Sequence, residues 1–219
     1  MLYLFDIDGT LVDTGGAGMT ALNEASREVF GQDGPPLDLA GSTDLGIIAN
    51  IHAHFGLEPT AERITAFFEI YHSRLDWNLT NGGFPGRVLD GVSVLLDELA
   101  SRRDAAVGLL TGNTSGGAAI KMRHYGLSGH FAFGAYGCDH ADRNLLGPIA
   151  LGRATTHTGR YFTGSETLVI GDTPKDIACA RAMGARCLAV STGQFSAEAL
   201  RAQGADHVVE SLEQAIGWI

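Results

Sequence analysis

Short apolar runs that alternate with helical patterns are the feature that most constrains the fold of this chain. Each run is almost continuously hydrophobic, as strands buried on both faces are. The runs are Leu2–Phe5, Ala105–Leu110, Phe131–Ala135, Thr167–Ile170, Cys187–Val190 and His207–Val209. Helical patterns lie between them, and two of these end at a glycine. Because strands that alternate with helices form parallel sheets, the sequence predicts an α/β fold.

One interval breaks this alternation and predicts a helical insert. Between Asp13 and about Phe84, roughly 70 residues contain no convincing strand by the criteria of alternation and run length. Three amphipathic helix patterns occur there instead. Their apolar positions are Met19, Leu22, Val29 and Phe30, then Leu45, Ile48, Ile51 and Phe55, then Ile64, Phe67, Phe68, Tyr71 and Leu75. We therefore expect a core domain of residues 1–14 and 84–219 and an inserted helical domain of residues 15–83.

Charge and cysteine content exclude several classes of protein. The chain has 15 Lys plus Arg against 25 Asp plus Glu, a net charge of −10, so a nucleic acid backbone would be repelled. No stretch approaches the length of a membrane span. The three cysteines, Cys138, Cys179 and Cys187, show no paired spacing and suit a reducing compartment. The expected setting is the cytoplasm, without a nucleic acid or membrane partner.

Two acidic pairs follow predicted strands. Asp6 and Asp8 come directly after the first strand, and Asp172 and Asp176 follow the strand Thr167–Ile170. Aspartates at strand ends are common, and Asp172 could simply cap the helix that Pro174 begins. The carboxyl ends of parallel strands meet at one edge, however, so the four carboxylates could form an oxygen-rich site suited to Mg²⁺.

A third polar segment lies between the acidic pairs. The strand Ala105–Leu110 ends in Thr111-Gly112-Asn113. A hydroxyl at a strand end, followed by free backbone N–H groups, is suited to holding an anion. The alternative is that Thr111 only caps the next helix.

In this order the three segments resemble the motifs of the haloacid dehalogenase superfamily. They are Asp6-x-Asp8-Gly9-Thr10, Leu110-Thr111-Gly112-Asn113 and Gly171-Asp172-x-x-x-Asp176. The helical insert is similar to the C1 helical cap of the phosphoglycolate-phosphatase-like branch, and Gly83-Phe84-Pro85-Gly86 also resembles that branch. The resemblance covers essentially the whole chain. It implies a Rossmann-like parallel-sheet core with an inserted α-helical cap domain.

The resemblance also implies a function and residue roles. The expected activity is Mg²⁺-dependent hydrolysis of a small phosphomonoester, phosphoglycolate being the first candidate. Asp6 would be the nucleophile that becomes an aspartyl phosphate, and Asp8 the general acid and base. Mg²⁺ would be held by Asp6, the backbone carbonyl of Asp8 and Asp172, with Asp176 in support. The phosphate group would be bound by Gly9, Thr10, Thr111, Gly112, Asn113 and Arg143.

One position departs from the family pattern. The family usually supplies a lysine, often followed by proline, ahead of the strand that ends at Asp172. The matching stretch here begins with Arg143, which can bind phosphate through two N–H groups. Lys175 is a second candidate for this cation. The alternative for Arg143 is a solvated residue that opens the next helix.

Other activities of the superfamily are weighed by single residues. Asp8 argues against haloacid dehalogenases, which lack a second carboxylate. The absence of lysine from residues 14–85 argues against phosphonoacetaldehyde hydrolases, which need a cap lysine. Gly18 stands where the β-phosphoglucomutase branch has a cap-hinge histidine. A phosphomutase and a non-catalytic phosphate-binding or regulatory module remain as alternatives. The expected partner is a small phosphorylated metabolite, and the oligomeric state is left open.

Overall fold

The computed structural model describes all residues, 1–219, and contains eight strands and eight α-helices. The strands are β1 (Leu2–Phe5), β2 (Val12–Asp13), β3 (Arg87–Val88), β4 (Ala106–Leu110), β5 (Gly134–Ala135), β6 (Thr167–Gly171), β7 (Arg186–Val190) and β8 (His207–Val209). The helices are α1 (Ala17–Phe30), α2 (Asp44–His54), α3 (Ala61–Asn81), α4 (Val92–Ser101), α5 (Ser115–His124), α6 (Leu146–Thr158), α7 (Pro174–Ala182) and α8 (Ala197–Ala202).

Six strands form one parallel sheet in the order β5-β4-β1-β6-β7-β8. Strand β1 lies between β4 and β6, with Leu2 opposite both Ala106 and Thr167. Its side chains alternate between two apolar layers, because successive residues of a strand point to opposite faces. Tyr3 and Phe5 pack in the layer beneath α4 and α5, and the two leucines pack in the layer beneath α6 and α7. The predicted α/β fold with a parallel, Rossmann-like core is confirmed.

The strand predicted at Phe131–Ala135 is shorter in the structure, where only Gly134–Ala135 pairs with β4. A short 3-10 turn at Ser128–His130 precedes it. The ring of Phe133 covers Gly108, where an added Cβ would come within 2.3 Å of it. Packing of this ring and a hydrogen bond from Leu109 N to the Phe133 carbonyl at 3.1 Å therefore both hold the chain just before β5.

Helices α1, α2 and α3 form an insert between β2 and β3, as the periodicity predicts. Their buried residues make a third apolar cluster of their own, with Leu22, Ile48 and Phe67 among its members. The expectation that Val29 faces this cluster is wrong, because its side chain is exposed. Alanines on α1 supply that face instead and allow close contact with α3. We call residues 15–83 the helical insert.

A small antiparallel pair, β2 with β3, joins the helical insert to the sheet. Val12 lies opposite Val88 and Asp13 opposite Arg87, so the outgoing and returning chains are bonded side by side. Gly15 follows at φ +62°, and a Cβ there would lie 2.9 Å from Pro85. This junction therefore needs glycine both for its backbone conformation and for the close approach.

None of the helices combines the length and the apolar character that crossing a membrane requires.

Candidate active site

Three carboxyl groups meet at the carboxyl edge of the sheet. Asp6 follows β1, Asp172 follows β6, and Asp176 lies in the first turn of α7. One oxygen of each lies within 4.8 Å of the others, and all three side chains are buried. Like charges at this distance repel strongly, so the cluster requires protons or cations to balance it.

Asp172 is the carboxylate with the least local compensation. Its side chain accepts a hydrogen bond from Thr10 Oγ1 at 3.2 Å. Burial, together with the neighbouring Asp6 and Asp176, raises the pKa of Asp172 to about 8. Glycines enclose it, because a Cβ at Gly9 or Gly193 would lie 2.4 or 1.9 Å from its Oδ2 atom. Asp172 is thus a tightly held oxygen donor that lacks a basic partner.

Asp176 has a different role from Asp172. Its Oδ2 accepts hydrogen bonds from Thr173 N at 3.0 Å and Thr173 Oγ1 at 2.7 Å, which forms a capping box at the start of α7. Its Oδ1 pairs with Arg143. The expectation that Asp172 could cap this helix is therefore wrong, since Thr173 is the cap. Asp172 is left to face the cluster.

Arg143 is buried at 6% exposure, which contradicts the alternative of a solvated helix start. Its Nη2 atom lies 3.1 Å from Asp6 Oδ1 and 2.5 Å from Asp176 Oδ1. Nη1 donates to the carbonyl of Gly41 in the helical insert at 3.2 Å. Nε is buried without a hydrogen-bond partner. Lys175, the other candidate cation, bonds Ser42 Oγ at 2.7 Å, so Arg143 is the cation at Asp6.

The side chain of Asp6 is buried beside Arg143, Asp172 and Asp176. Burial raises its pKa to about 6, while the Arg143 charge and a hydrogen bond with Thr111 oppose the shift. Thr111 Oγ1 accepts from Asn113 Nδ2 at 2.9 Å and from Asn113 N at 3.3 Å. The alternative that Thr111 caps the next helix is wrong, because Thr114 caps α5 through Gly117 N.

Asp8 faces open space, with its side chain 44% exposed. Asn113 Nδ2 donates to its Oδ2 at 2.8 Å. Lys121 Nζ lies 2.8 Å from its Oδ1 and 2.6 Å from its Oδ2. Lys121 belongs to none of the sequence motifs and was not predicted as a site residue. The signal was available, because Lys121 falls on the apolar face of α5 beside Ala118 and Met122.

A cavity of about 410 Å³ opens in front of these residues. Asp6, Asp8 and Asp172 line its floor, and the helical insert supplies the opposite wall. Two loops of the helical insert contribute to that wall, with Gly16, Gly18, Gly41, Ser42 and Asp44. Apolar side chains complete it: Met19, Leu22, Leu37, Leu39 and Ile47. Gly193 and Gln194, which the sequence did not indicate, line the far side.

The first turn of α2 is bonded directly to the core. Asp44 N donates to Gly112 O at 2.7 Å, and Asp44 Oδ2 accepts from Thr114 N at 2.7 Å. Thr43 Oγ1 donates to Ala141 O at 2.7 Å. His72 on α3 adds a hydrogen bond to Thr114 Oγ1 at 2.6 Å. These bonds hold the helical insert over the sheet edge, and burial raises the pKa of Asp44 to about 6.

Part of the chain resembles a known protein family in sequence. Residues 147–215 match the family model of HAD-hydrolase-like proteins, a segment that includes Asp172 and Asp176. No curated protein sequence matches the chain.

Solved structures share the fold along nearly the whole chain. A predicted phosphoglycolate phosphatase from Haemophilus somnus has a TM-score of 0.70 at 17% identity, over 98% of this chain and 95% of that one. A β-phosphoglucomutase from Clostridium difficile has a TM-score of 0.73 at 17% identity, over 97% and 92%. CbbY from Rhodobacter sphaeroides, in complex with phosphate, has a TM-score of 0.73 at 19% identity, over 97% and 95%.

The TM-scores of 0.70 to 0.73 establish a common fold. The family model adds sequence agreement across the second acidic pair. The chain therefore shares the fold of these proteins, and residues 147–215 resemble HAD-hydrolase-like proteins in sequence.

Proposed function

We propose that this protein is a Mg²⁺-dependent phosphatase that hydrolyses a small phosphomonoester through an aspartyl phosphate on Asp6. The observation that carries the proposal is the buried group of Asp6, Asp172 and Asp176 on the floor of a cavity that also holds Asp8. A binding module would gain nothing from a nucleophile beside a second, exposed carboxyl group.

The donor set suits a divalent cation. Asp172 is buried beside two other carboxyl groups without a basic partner, and its pKa is raised first by burial and then by those neighbouring charges. Hard oxygen donors of this kind are those Mg²⁺ prefers. We propose that Asp6, Asp172 and the backbone carbonyl of Asp8 hold it, with Asp176 in support. When bound, the ion would offset the repulsion between the nucleophile and the substrate's phosphate.

The residues of the chain would divide the chemistry as follows. Asp6 attacks phosphorus, the bond from phosphorus to the leaving oxygen breaks, and Asp8 gives that oxygen a proton. Asp8, now ionised, then removes a proton from water as the water attacks the phosphoryl group. The bond to Asp6 breaks, releasing phosphate and restoring the carboxylate. The exposed position of Asp8 suits these two transfers, because it lines the cavity in which the alcohol leaves.

Donors for the phosphoryl oxygens surround Asp6. We propose that Thr111 and the backbone N–H of Gly112 bind them, with Arg143 as the cation. The backbone N–H groups of Gly9 and Thr10 and both amide hydrogens of Asn113 already donate within the protein. Arg143 lines the cavity beside Asp6. Arginine binds phosphate with directed N–H groups, so it can replace the lysine that the family usually has.

The helical insert would act as a cap domain of residues 15–83 on a core of residues 1–14 and 84–219. Its separate apolar cluster and its attachment through β2 and β3 support this division. A closed cap would exclude bulk water from the phosphoenzyme until the alcohol has left.

The cavity volume of about 410 Å³ suits a small phosphorylated metabolite. Phosphoglycolate is the candidate that the sequence resemblance provides. The N-terminal end of α1 reaches the cavity at Gly16 and Gly18, where backbone N–H groups would favour a carboxylate. We also propose a cytoplasmic setting, which the three free cysteines support.

A phosphomutase is the second candidate, because one of the solved structures with this fold is a β-phosphoglucomutase. Gly18 counts against it, since it offers no side chain where that branch has its hinge histidine. A mutase would interconvert sugar phosphates without net release of phosphate, so glucose 6-phosphate formed from glucose 1-phosphate identifies a mutase, whereas released phosphate identifies a phosphatase.

Turnover of p-nitrophenyl phosphate tests the proposal directly. We expect wild-type protein to release p-nitrophenol with Mg²⁺, and we expect chelation by EDTA or the substitution Asp6→Asn to abolish release. A panel of phosphorylated metabolites that includes phosphoglycolate then identifies the substrate. A folded wild type that is inert with Mg²⁺ on the whole panel would favour a non-catalytic module.

A further inference from the structure

We propose that Lys121 is a positioning residue that holds the carboxyl group of Asp8 in the orientation needed to protonate the leaving oxygen. This inference rests on the proposed phosphatase function. Lys121 is one of only two lysines in the chain and is 3% exposed. A lysine is rarely buried to this extent without a specific partner.

All three N–H bonds of the Lys121 ammonium are used within the protein. Nζ lies 2.8 and 2.6 Å from the two oxygens of Asp8, and 2.7 Å from Asn113 Oδ1. Asn113 Nδ2 in turn donates to Asp8 Oδ2 at 2.8 Å. The three side chains therefore form a closed ring in which each contacts the other two.

This ring holds Asp8 at the wall of the cavity, which all three residues line. The Asp8 side chain is 44% exposed toward the cavity, while the side chain of Lys121 is 4% exposed. Contact with both carboxylate oxygens restricts rotation about the side-chain bonds in a way that one hydrogen bond would not. Because Lys121 has no N–H left for a substrate, its effect on the reaction passes through Asp8.

Lys121 is also fixed in its own position. It lies in the last turn of α5, on the face where Gly117, Ala118 and Met122 are buried. Thr114 caps that helix, and Asp44 of the helical insert accepts from the backbone N–H of Thr114. The ammonium is therefore presented by a rigid element rather than by a loop.

The inference predicts a dependence on the leaving group. The p-nitrophenolate ion leaves readily without a proton. Phenol, the product from phenyl phosphate, has a pKa of about 10, as the tyrosine side chain has, so its departure depends more strongly on a proton from Asp8. The two esters are otherwise of similar shape. A defect in the orientation of Asp8 should therefore lower kcat/KM for phenyl phosphate more than for p-nitrophenyl phosphate, because this constant covers the steps up to departure of the phenol.

The test compares Lys121→Met with Lys175→Met on both esters at saturating Mg²⁺. Lys175 is the matched control, since it bonds Ser42 and has no contact with Asp8. We expect Lys121→Met to lower the ratio of kcat/KM for phenyl phosphate to that for p-nitrophenyl phosphate by at least about tenfold, a part of what general acid catalysis contributes. Lys175→Met should leave this ratio at the wild-type value.

Each other outcome is decisive. A Lys121→Met protein whose two constants fall by equal factors overturns the inference and leaves Lys121 a structural or substrate-binding residue. If Lys121→Met lacks a cooperative thermal transition, Lys121→Gln, which retains a side-chain donor, is measured by the same criterion. A wild type without Mg²⁺-dependent turnover of either ester contradicts the proposed function, whereas an active wild type with an unchanged ratio in the variant contradicts only the role of Lys121.

Discussion

The carboxyl groups at the sheet edge are chemically alike in the sequence and differ in the structure because their immediate neighbours differ. Asp176 is satisfied by a helix cap and an arginine. Asp8 is held by Lys121 and faces the cavity. Asp172 has only a threonine hydroxyl. Their separate proposed roles follow from these differences in hydrogen bonding and burial.

Asp172 should make the metal-free protein less stable as pH rises. Its pKa is raised from 3.8 to about 8, so between these values the folded state holds a proton that the unfolded state has released. Stability from this group is therefore present at low pH and lost as pH rises through about 8. The substitution Asp172→Asn should remove this loss.

Thermal melting in EDTA across this pH range measures the effect. At the upper end, we expect Asp172→Asn to melt above wild type by at least about 2–4 °C, the shift that 1 kcal/mol produces in a protein of this size. At the lower end the two melting temperatures should converge. A wild-type curve parallel to that of the variant over the whole range would contradict the assigned environment.

Arg143 contacts Asp6, Asp176 and the carbonyl of Gly41. Replacing it by Met or by Lys should therefore separate the effect of its charge from the effect of its hydrogen-bonding geometry. Arg143→Met leaves Asp6 and Asp176 buried without a cation and should lower the free energy of unfolding by about 3–5 kcal/mol. Arg143→Lys keeps a charge but cannot reach Asp6, Asp176 and the Gly41 carbonyl together.

We expect Arg143→Lys to fold with a smaller loss of stability and to lose about tenfold in kcat/KM, the effect of one tenfold step in transition-state binding. Urea unfolding and steady-state kinetics on the same two variants measure the two quantities. Equal stability of the two variants would show that charge compensation is not what Arg143 supplies.

At the scale of secondary-structure elements, the first turn of α2 makes the shortest backbone contacts between the helical insert and the core. Asp44 donates its backbone N–H to Gly112 and accepts from the backbone N–H of Thr114. These residues belong to segments that are far apart in the sequence. Each element was predictable from periodicity, but the bonds between the elements were not, because they depend on which residues of two helix ends come opposite each other.

Asp44→Ala should loosen the helical insert. It leaves the Thr114 N–H without its acceptor, at a cost of about 1–3 kcal/mol if the group stays buried. Asp44→Asn retains an acceptor oxygen and should cost less. The pKa of Asp44 in the wild type is raised to about 6, so its contribution to the free energy of unfolding falls as pH rises from about 4 to about 6. The Asp44→Asn variant should lack this pH dependence.

Limited proteolysis of the insert junctions compares the three proteins. We expect faster cleavage near Gly15 and Gly83 in Asp44→Ala than in wild type, with Asp44→Asn between them. Identical cleavage rates in all three would mean that other contacts, such as the one between His72 and Thr114, hold the insert in place.

At the scale of the whole molecule, the proposed metal ligands come from the N-terminal and the C-terminal segments of the core. Asp6 and Asp172 come from segments separated by the entire helical insert, and they adjoin only when β1 and β6 pair. A cation bound there therefore stabilises the folded state alone. At a concentration of about 100 times its Kd, it should add about 2.7 kcal/mol.

We expect Mg²⁺ to raise the melting temperature of the wild type by about 5–10 °C at such a concentration, given the response of a protein of this size. Asp172→Asn should abolish the rise, and a monovalent salt at matched ionic strength controls for screening. A rise of the same size in Asp172→Asn would contradict the assigned ligands.

The sequence by itself determined the class of fold, the order of strands and helices along the chain, and the ends of strands at which polar residues collect. These follow from local patterns of burial and from the geometry of parallel sheets, which act over a few residues at a time. The short pair β2 and β3 was not predictable, since two residues carry too little pattern.

Only the tertiary structure decided which charges meet. It buried Arg143 against Asp6, directed Lys175 away to Ser42, and placed Lys121 beneath Asp8 from a helix 113 positions further along the chain. A buried ion pair depends on the directions of two side chains and on the absence of water between them. Neither is encoded in the neighbourhood of one residue, because both arise when distant elements pack together.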